Sequence, residues 1–246
     1  MIRRFLITVL FAGIFLPATA QQTKHVLLIS IDGFRPDFYR NAGWETPNLR
    51  KLAAEGVSSA GINSVFPSVT YPSHTSIITG ALPARHGIYF NAPYGDTTGH
   101  WYWEEERIEV PTLWDAVRKK GWKSGSVLWP VSVGAPVDYN FPVRGADDAK
   151  DGRWAAMKPL VSPGLLKEID ENFPIKEADL DYNRSVDETV EKVAALIIEK
   201  HQPTLLTVHF VTADHMQHEL GREHPEVKKT VHRIDSLIGQ LIAQLD

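Results

Sequence analysis

Residues 24–33 read KHVLLISIDG, an apolar and β-branched run that ends abruptly at Asp32-Gly33. A run of this kind has no solvent-facing side, so it fits a strand covered on both faces, as in a parallel sheet. The stretch 204–211, TLLTVHFV, repeats the pattern, and 124–129 supplies a further strand. Between these runs the signals turn helical. Thr46-Pro47 reads as an N-cap and first helical residue, with Gly56 as the stop, giving a helix over 47–55. Another helix is expected at 111–120, opened by Pro111 and closed by Gly121. Over 184–200, Val186, Val190, Val193, Ala194 and Ile197 fall at helical spacing, and a last helix covers roughly 224–245. Residues 57–66 alternate loosely and predict one more strand. Residues 67–80 predict a turn and then a short helix with Ser73, His74, Thr75 and Ser76 in its first turn. Strands alternating with helices give an α/β fold of three layers, α/β/α, around a largely parallel sheet.

The 246 residues are 43% hydrophobic and 23% charged, which suits one domain with a substantial core and excludes disorder. A net charge of −4 carries no polybasic signature for nucleic acid. The absence of cysteine rules out a thiolate metal cage and a Cys nucleophile, so any metal must be held by His, Asp, Glu or hydroxyl oxygen. Arg3-Arg4, the apolar run Phe5 to Leu16 and the small-x-small end at Ala18-Thr19-Ala20 form a signal peptide over 1–20. The run falls short of the ~20 apolar residues of a membrane span. Cleavage leaves a domain over 21–246 with no stable membrane span, in the periplasm or secreted. Residues 130–182, rich in Gly, Pro and Asp, read as an irregular insertion over the sheet.

In open α/β sheets, sites form beyond the carboxyl ends of the strands. Asp32, the segment around Thr70, and Asp214 fall there. Asp214 and His218 either share a helix face or converge in a tight loop, and both residue types ligate zinc. Thr70 places a hydroxyl at a strand-to-helix turn, where free N–H groups hold an anion. A threonine hydroxyl needs a base or a metal to become a nucleophile; otherwise Thr70 is an ordinary N-cap. His86, His209 and His215 are left unassigned, as structural histidines, with His215 a candidate to support its neighbour Asp214.

Together these pieces resemble the nucleotide pyrophosphatase/phosphodiesterase family of the alkaline phosphatase superfamily. The resemblance rests on Ser30-Ile-Asp32-Gly-Phe-Arg-Pro-Asp, Phe66-Pro-Ser-Val-Thr70-Tyr-Pro-Ser-His and Thr79-Gly80. It continues through His86-Gly-Ile-Tyr-Phe-Asn91, Pro111-Thr-Leu-Trp114, Trp129-Pro130, Tyr182-Asn183 and Asp214-x-x-x-His218. It implies an alkaline-phosphatase-like fold with two Zn2+ ions, hydrolysing a small phosphate diester of nucleotide type through a phospho-threonine intermediate. Asp32 and Thr70 would then hold one zinc, and Asp214 and His218 the other. Thr70 would be the nucleophile, and Asn91 would donate its amide to a phosphoryl oxygen. Tyr71 would lie beside the leaving group and Tyr182 against a base, or both would simply pack.

The resemblance also implies an Asp-His pair on a later strand and a further His beyond it. The sequence as given ends before either, so the domain reads as incomplete at its carboxyl end. Each zinc then has two of its ligands, and a sheet edge is left open. Val131 stands where related sequences usually place Gly after Trp-Pro, and Val211-Thr-Ala213 replaces a Glu-Pro pair before Asp214. Two alternatives stand beside the diesterase: a phosphomonoesterase, and a relative left incompetent by missing ligands. A sulfatase is excluded because Thr cannot be oxidised to the aldehyde nucleophile.

Overall fold

The computed structural model describes residues 25–145 and 152–245; the expected signal peptide lies outside them. In chain order the elements are β1 (Val26–Ile31), α1 (Asp37–Arg40), α2 (Pro47–Glu55), α3 (Thr70–Thr79) and α4 (Pro83–His86). Then come α5 (Leu113–Lys119), β2 (Ser124–Val127), β3 (Tyr139–Phe141), α6 (Arg153–Met157) and α7 (Pro163–Asn172). The chain continues through α8 (Val186–His201), β4 (Leu205–Phe210), α9 (Thr212–Leu220) and α10 (Pro225–Ala243). The four strands form one sheet in the order β1-β4-β2-β3, and every pairing is parallel.

The side-chain alternation of β4 sets the two layers. Leu206, Val208 and Phe210 enter the large core with Val190, Val193 and Ile197 of α8 and Val231, Ile234 and Ile238 of α10. Leu205 points the other way, into a smaller cluster with Ile78 of α3, Trp114 of α5 and Trp129. Helices therefore cover both faces, as apolar strands without alternation require. All six residues of β4 are buried. The outer strand β1 has Val26 exposed and the rest half-buried.

Several expectations need correction. Residues 57–66 form no strand: Val57, Ile62 and Phe66 are exposed, at 103%, 87% and 92%, and no ladder reaches them. A strand is held by its neighbour's hydrogen bonds, and among the described residues β1 pairs only with β4. Helix α3 begins at Thr70, so Ser73 to Ser76 occupy its second turn. Helix α5 begins after Thr112, where Thr112 and Asp115 cap each other reciprocally. Thr46 does stand at the N-cap of α2, but its hydroxyl donates to the Phe38 carbonyl. The α2 N–H groups of Asn48 and Leu49 donate instead to Asp235 of α10, at 3.1 and 2.8 Å. The stretch 130–182 contributes β3 to the sheet along with α6 and α7. Val131 adopts φ +55°, a left-handed backbone that favours glycine and strains a β-branched residue.

Candidate active site

Strand register builds the first half of the site. Ser30 of β1 lies beside His209 of β4, and Asp32 follows Ser30 by two residues, so all three face the α3 layer. The Thr70 hydroxyl, at the start of α3, donates to Asp32 Oδ2 at 3.1 Å, and the Gly33 N–H donates to Oδ1 at 3.1 Å. Thr70 is therefore not a cap; Val69 occupies that position. His74, one turn along α3, donates Nδ1–H to the Thr70 carbonyl at 2.7 Å and accepts from the Ser30 hydroxyl at Nε2, at 2.9 Å. Burial, joined by the nearby His209, lowers its pKa to about 3, so the ring is neutral.

His209 is 3% exposed and packs against His74 with ring centroids 4.2 Å apart. Its Nδ1 donates to the Leu128 carbonyl at 3.0 Å, while its Nε2 is buried with no hydrogen-bond partner among the described residues. That nitrogen lies 3.6 Å from Asp32 Oδ2, close enough for electrostatic attraction but beyond a hydrogen bond. Burial pushes the Asp32 carboxyl up, but His209, His74 and the Thr70 hydroxyl outweigh it and hold Asp32 well below the usual carboxylate range.

The second half follows β4. Helix α9 begins at Thr212, which settles the Asp214-x-x-x-His218 spacing as a helix face, with the two side chains 3.4 Å apart. The start of α9 is set by Asp187 of α8, a fully buried carboxylate. It accepts from Val211 N at 2.9 Å, from Thr212 N at 3.2 Å, and closely from the Thr212 hydroxyl. Gly33 lets the halves meet: at φ +64° it packs so tightly that a Cβ would lie 2.9 Å from Asp214 Cα. Gln217 ties this contact by donating to the carbonyls of Gly33 and Ala213, at 3.0 and 2.9 Å. Burial and repulsion from Asp32 raise the Asp214 pKa, with His218 opposing.

All seven residues predicted for the site line one pocket of about 560 Å³. Asn91 Oδ1 accepts from the Tyr71 N–H at 3.0 Å, which assigns its amide orientation and leaves Nδ2 as the donor. The Tyr71 ring is 3% exposed and stands edge-on to Trp101 and Trp103 in the pocket wall. Tyr182 carries the Arg153 guanidinium over its ring at 4.0 Å, and Arg153 also lines the pocket. His215 bonds to Asn183 at 3.1 Å, and His86 is a buried structural residue bonded to Ser76. The sequence reading missed His209, Asp187, Gln217 and Arg153. Only His209 left a signal, an imidazole in an otherwise apolar strand on the same face as Asp32.

Among the described residues no three His, Cys, Asp or Glu side chains gather as a ready metal cage. The donors present are a carboxylate and a hydroxyl at Asp32–Thr70, and a carboxylate and an imidazole at Asp214–His218. These oxygen and nitrogen donors, with the orphaned lone-pair position of His209, suit a divalent cation such as zinc.

A family model described as type I phosphodiesterase / nucleotide pyrophosphatase matches residues 26–246. Human ectonucleotide pyrophosphatase/phosphodiesterase family member 1 is 25% identical over 228 residues, covering 90% of this chain and 21% of the human protein. Human bis(5'-adenosyl)-triphosphatase is 27% identical over an alignment of 252 residues, covering 98% of this chain and 49% of its own length. The chain thus spans about half the length, or less, of these curated relatives. Murine ectonucleotide pyrophosphatase/phosphodiesterase 5 superposes with a TM-score of 0.59 at 22% identity, over 90% of this chain and 52% of that one. Phosphonoacetate hydrolase from Sinorhizobium meliloti, with bound phosphonoformate, gives 0.61 at 21% identity, over 90% and 54%. The structures establish a shared fold, and the sequence model extends through every element of it. The chain belongs to the type I phosphodiesterase / nucleotide pyrophosphatase family.

Proposed function

We propose that this chain carries the nucleophile of a zinc-dependent phosphodiesterase acting on nucleotide-type esters through a phospho-threonine intermediate. The observation that carries the reading is the Thr70 hydroxyl at the amino end of α3, held 3.1 Å from Asp32 inside the pocket. Asp32, held below the usual carboxylate range, is a poor base for that hydroxyl. A divalent cation held by Asp32 and Thr70 would, when bound, let the hydroxyl release its proton to solvent water and would polarise the phosphoryl group. Thr70 Oγ1 then forms a bond to phosphorus as the ester bond to the leaving oxygen breaks. Asn91 Nδ2 donates to a non-bridging oxygen as charge builds. Water then hydrolyses the phospho-Thr70 ester and restores the hydroxyl. Asp214 and His218 would hold a second cation across the same pocket.

Support for a nucleotide substrate comes from the relatives' names and from the murine structure determined as an inactive form with AMP. Arg153 favours a second reading, in which the substrate carries additional negative charge, as a phosphomonoester does. The leader-like residues 1–20 support export to the periplasm or beyond. Among the described residues no helix is long and apolar enough to cross a membrane.

Turnover of a nitrophenyl nucleotide diester should fall about 10⁴-fold or more in Thr70→Ala, with zinc still bound through the remaining donors. Retained turnover would remove Thr70 as nucleophile. Faster turnover of nitrophenyl phosphate by the unaltered chain would select the monoester reading. Fewer than two bound zinc ions with no turnover of either ester would select the relative left incompetent by missing ligands.

A further inference from the structure

We infer that His209 is a metal ligand, its Nε2 joining Asp32 Oδ2 and Thr70 Oγ1 as a three-donor face for a divalent cation. The inference rests on the reading that Asp32 and Thr70 hold a cation, and adds a donor that the family motifs above do not contain. Four observations carry it. The imidazole is buried, yet Nε2 has no hydrogen-bond partner among the described residues, a costly arrangement for a polar atom inside a protein. The other ring nitrogen donates to the Leu128 carbonyl, so Nε2 is the nitrogen left to bind a cation. A backbone carbonyl on the far nitrogen is the usual support of a metal-binding histidine. His209 is among the residues that line the pocket, together with Asp32 and Thr70.

The spacings agree. Bonds of about 2.0–2.1 Å in a tetrahedral zinc site place neighbouring donor atoms about 3.3 Å apart. Asp32 Oδ2 lies 3.1 Å from Thr70 Oγ1 and 3.6 Å from His209 Nε2, on either side of that value. His74, the other imidazole here, has both nitrogens engaged, by Thr70 and Ser30, and is not a donor. The rival is a simple ion pair between a protonated His209 and Asp32. In the metal-free chain that attraction helps to hold the Asp32 carboxyl low, and a bound cation would take the position of the Nε2 proton.

The test uses Asp214→Ala/His218→Ala in the full chain, which removes the other site's donors. Loaded with zinc, this form should show the X-ray scattering signature of one coordinated imidazole. Adding His209→Gln should abolish that signature and weaken zinc affinity, by chelator competition, more than the roughly 10–100-fold of an outer-shell partner. Imidazole scattering absent from the background form overturns the inference, and this arm needs no change at His209. So does His209→Gln binding zinc unchanged. If Asp32→Ala in the same background loses zinc while His209→Gln keeps it, only the His209 assignment fails. If Asp32→Ala also keeps it, the Asp32–Thr70 cation site fails with it. His209→Asn, with a matched melting profile, serves if the Gln form does not fold.

Discussion

Asp32 and Asp214 stand at the ends of neighbouring strands and face one pocket, yet the protein holds them by opposite means. Asp32 is fixed by side chains: Thr70 on one oxygen, His209 beside it, and His74 and Ser30 behind them. Asp214 is fixed by the placement of a helix. Its partner His218 is 78% exposed, and what secures α9 is Asp187 under its first turn and Gln217 on the Gly33 carbonyl. The carboxyls shift in opposite directions, Asp32 down and Asp214 up. The difference teaches that the Asp32–Thr70 side is set by its own side chains. The other side is a helix face on which burial and the neighbouring Asp32 disfavour the Asp214 carboxylate.

The largest test of this contrast is Asp187→Ala. It strands the buried N–H groups of Val211 and Thr212, each of which loses its acceptor. The expected loss is about 3 kcal/mol, or roughly 6–12 °C in Tm for a domain of this size. Zinc binding at Asp214–His218 should suffer while the Asp32 side keeps its ion; equal loss at both sites would break the contrast. Next is Gly33→Ala, which forces a Cβ into the Asp214 backbone at a left-handed φ. About 2 kcal/mol is expected in denaturant unfolding, with α9 displaced from the Asp32 turn. An unchanged midpoint would mean that the two halves are not locked at this contact.

The carriers of the contrast differ in how far the sequence exposes them. Apolar runs locate β1 and β4 because consecutive apolar residues mark a strand covered on both faces, whereas β2, Ser-Gly-Ser-Val, carries only the beginning of such a run. Asp32 and Asp214 are visible because each follows a strand end, His218 by its spacing from Asp214, and Thr70 by its place at the start of a helix. The helix caps were not. Asp235 on α2, Asp187 on α9 and Glu177 on α6 each serve a helix from a distant part of the chain, so no local signal marks them. Residues 57–66 misled for the converse reason: alternation was present, but a strand also needs an edge to pair with, and pairing is not local. His209 lay in plain view but was read as packing, because its meaning depends on the register that sets it beside Ser30 and Asp32.

The smallest effect is also the most direct reading of the opposite shifts. In the metal-free chain, Asp32 has a folded pKa below its unfolded value of about 3.9. Its contribution to stability is therefore present above that pH and lost as pH falls through the folded value. Asp32→Asn should destabilise at pH 7, and its denaturant midpoint should begin to converge on the parent's only below about pH 3.9, as pH falls toward the folded value. Asp214, raised by burial and by Asp32, has the reverse sign. Its contribution is full below about pH 3.9 and disappears as pH rises through the folded pKa, leaving net repulsion at pH 7. Asp214→Asn should thus stabilise the metal-free chain at pH 7, by less than about 1 kcal/mol because the carboxyl is partly exposed and screened. That is at most roughly 2–4 °C, fading toward pH 3. Zinc should reverse the sign, since the ion stabilises the form that keeps its carboxylate donor. Two Asn variants shifting in the same direction at pH 7 would show that the sides are held alike, and the contrast would fall.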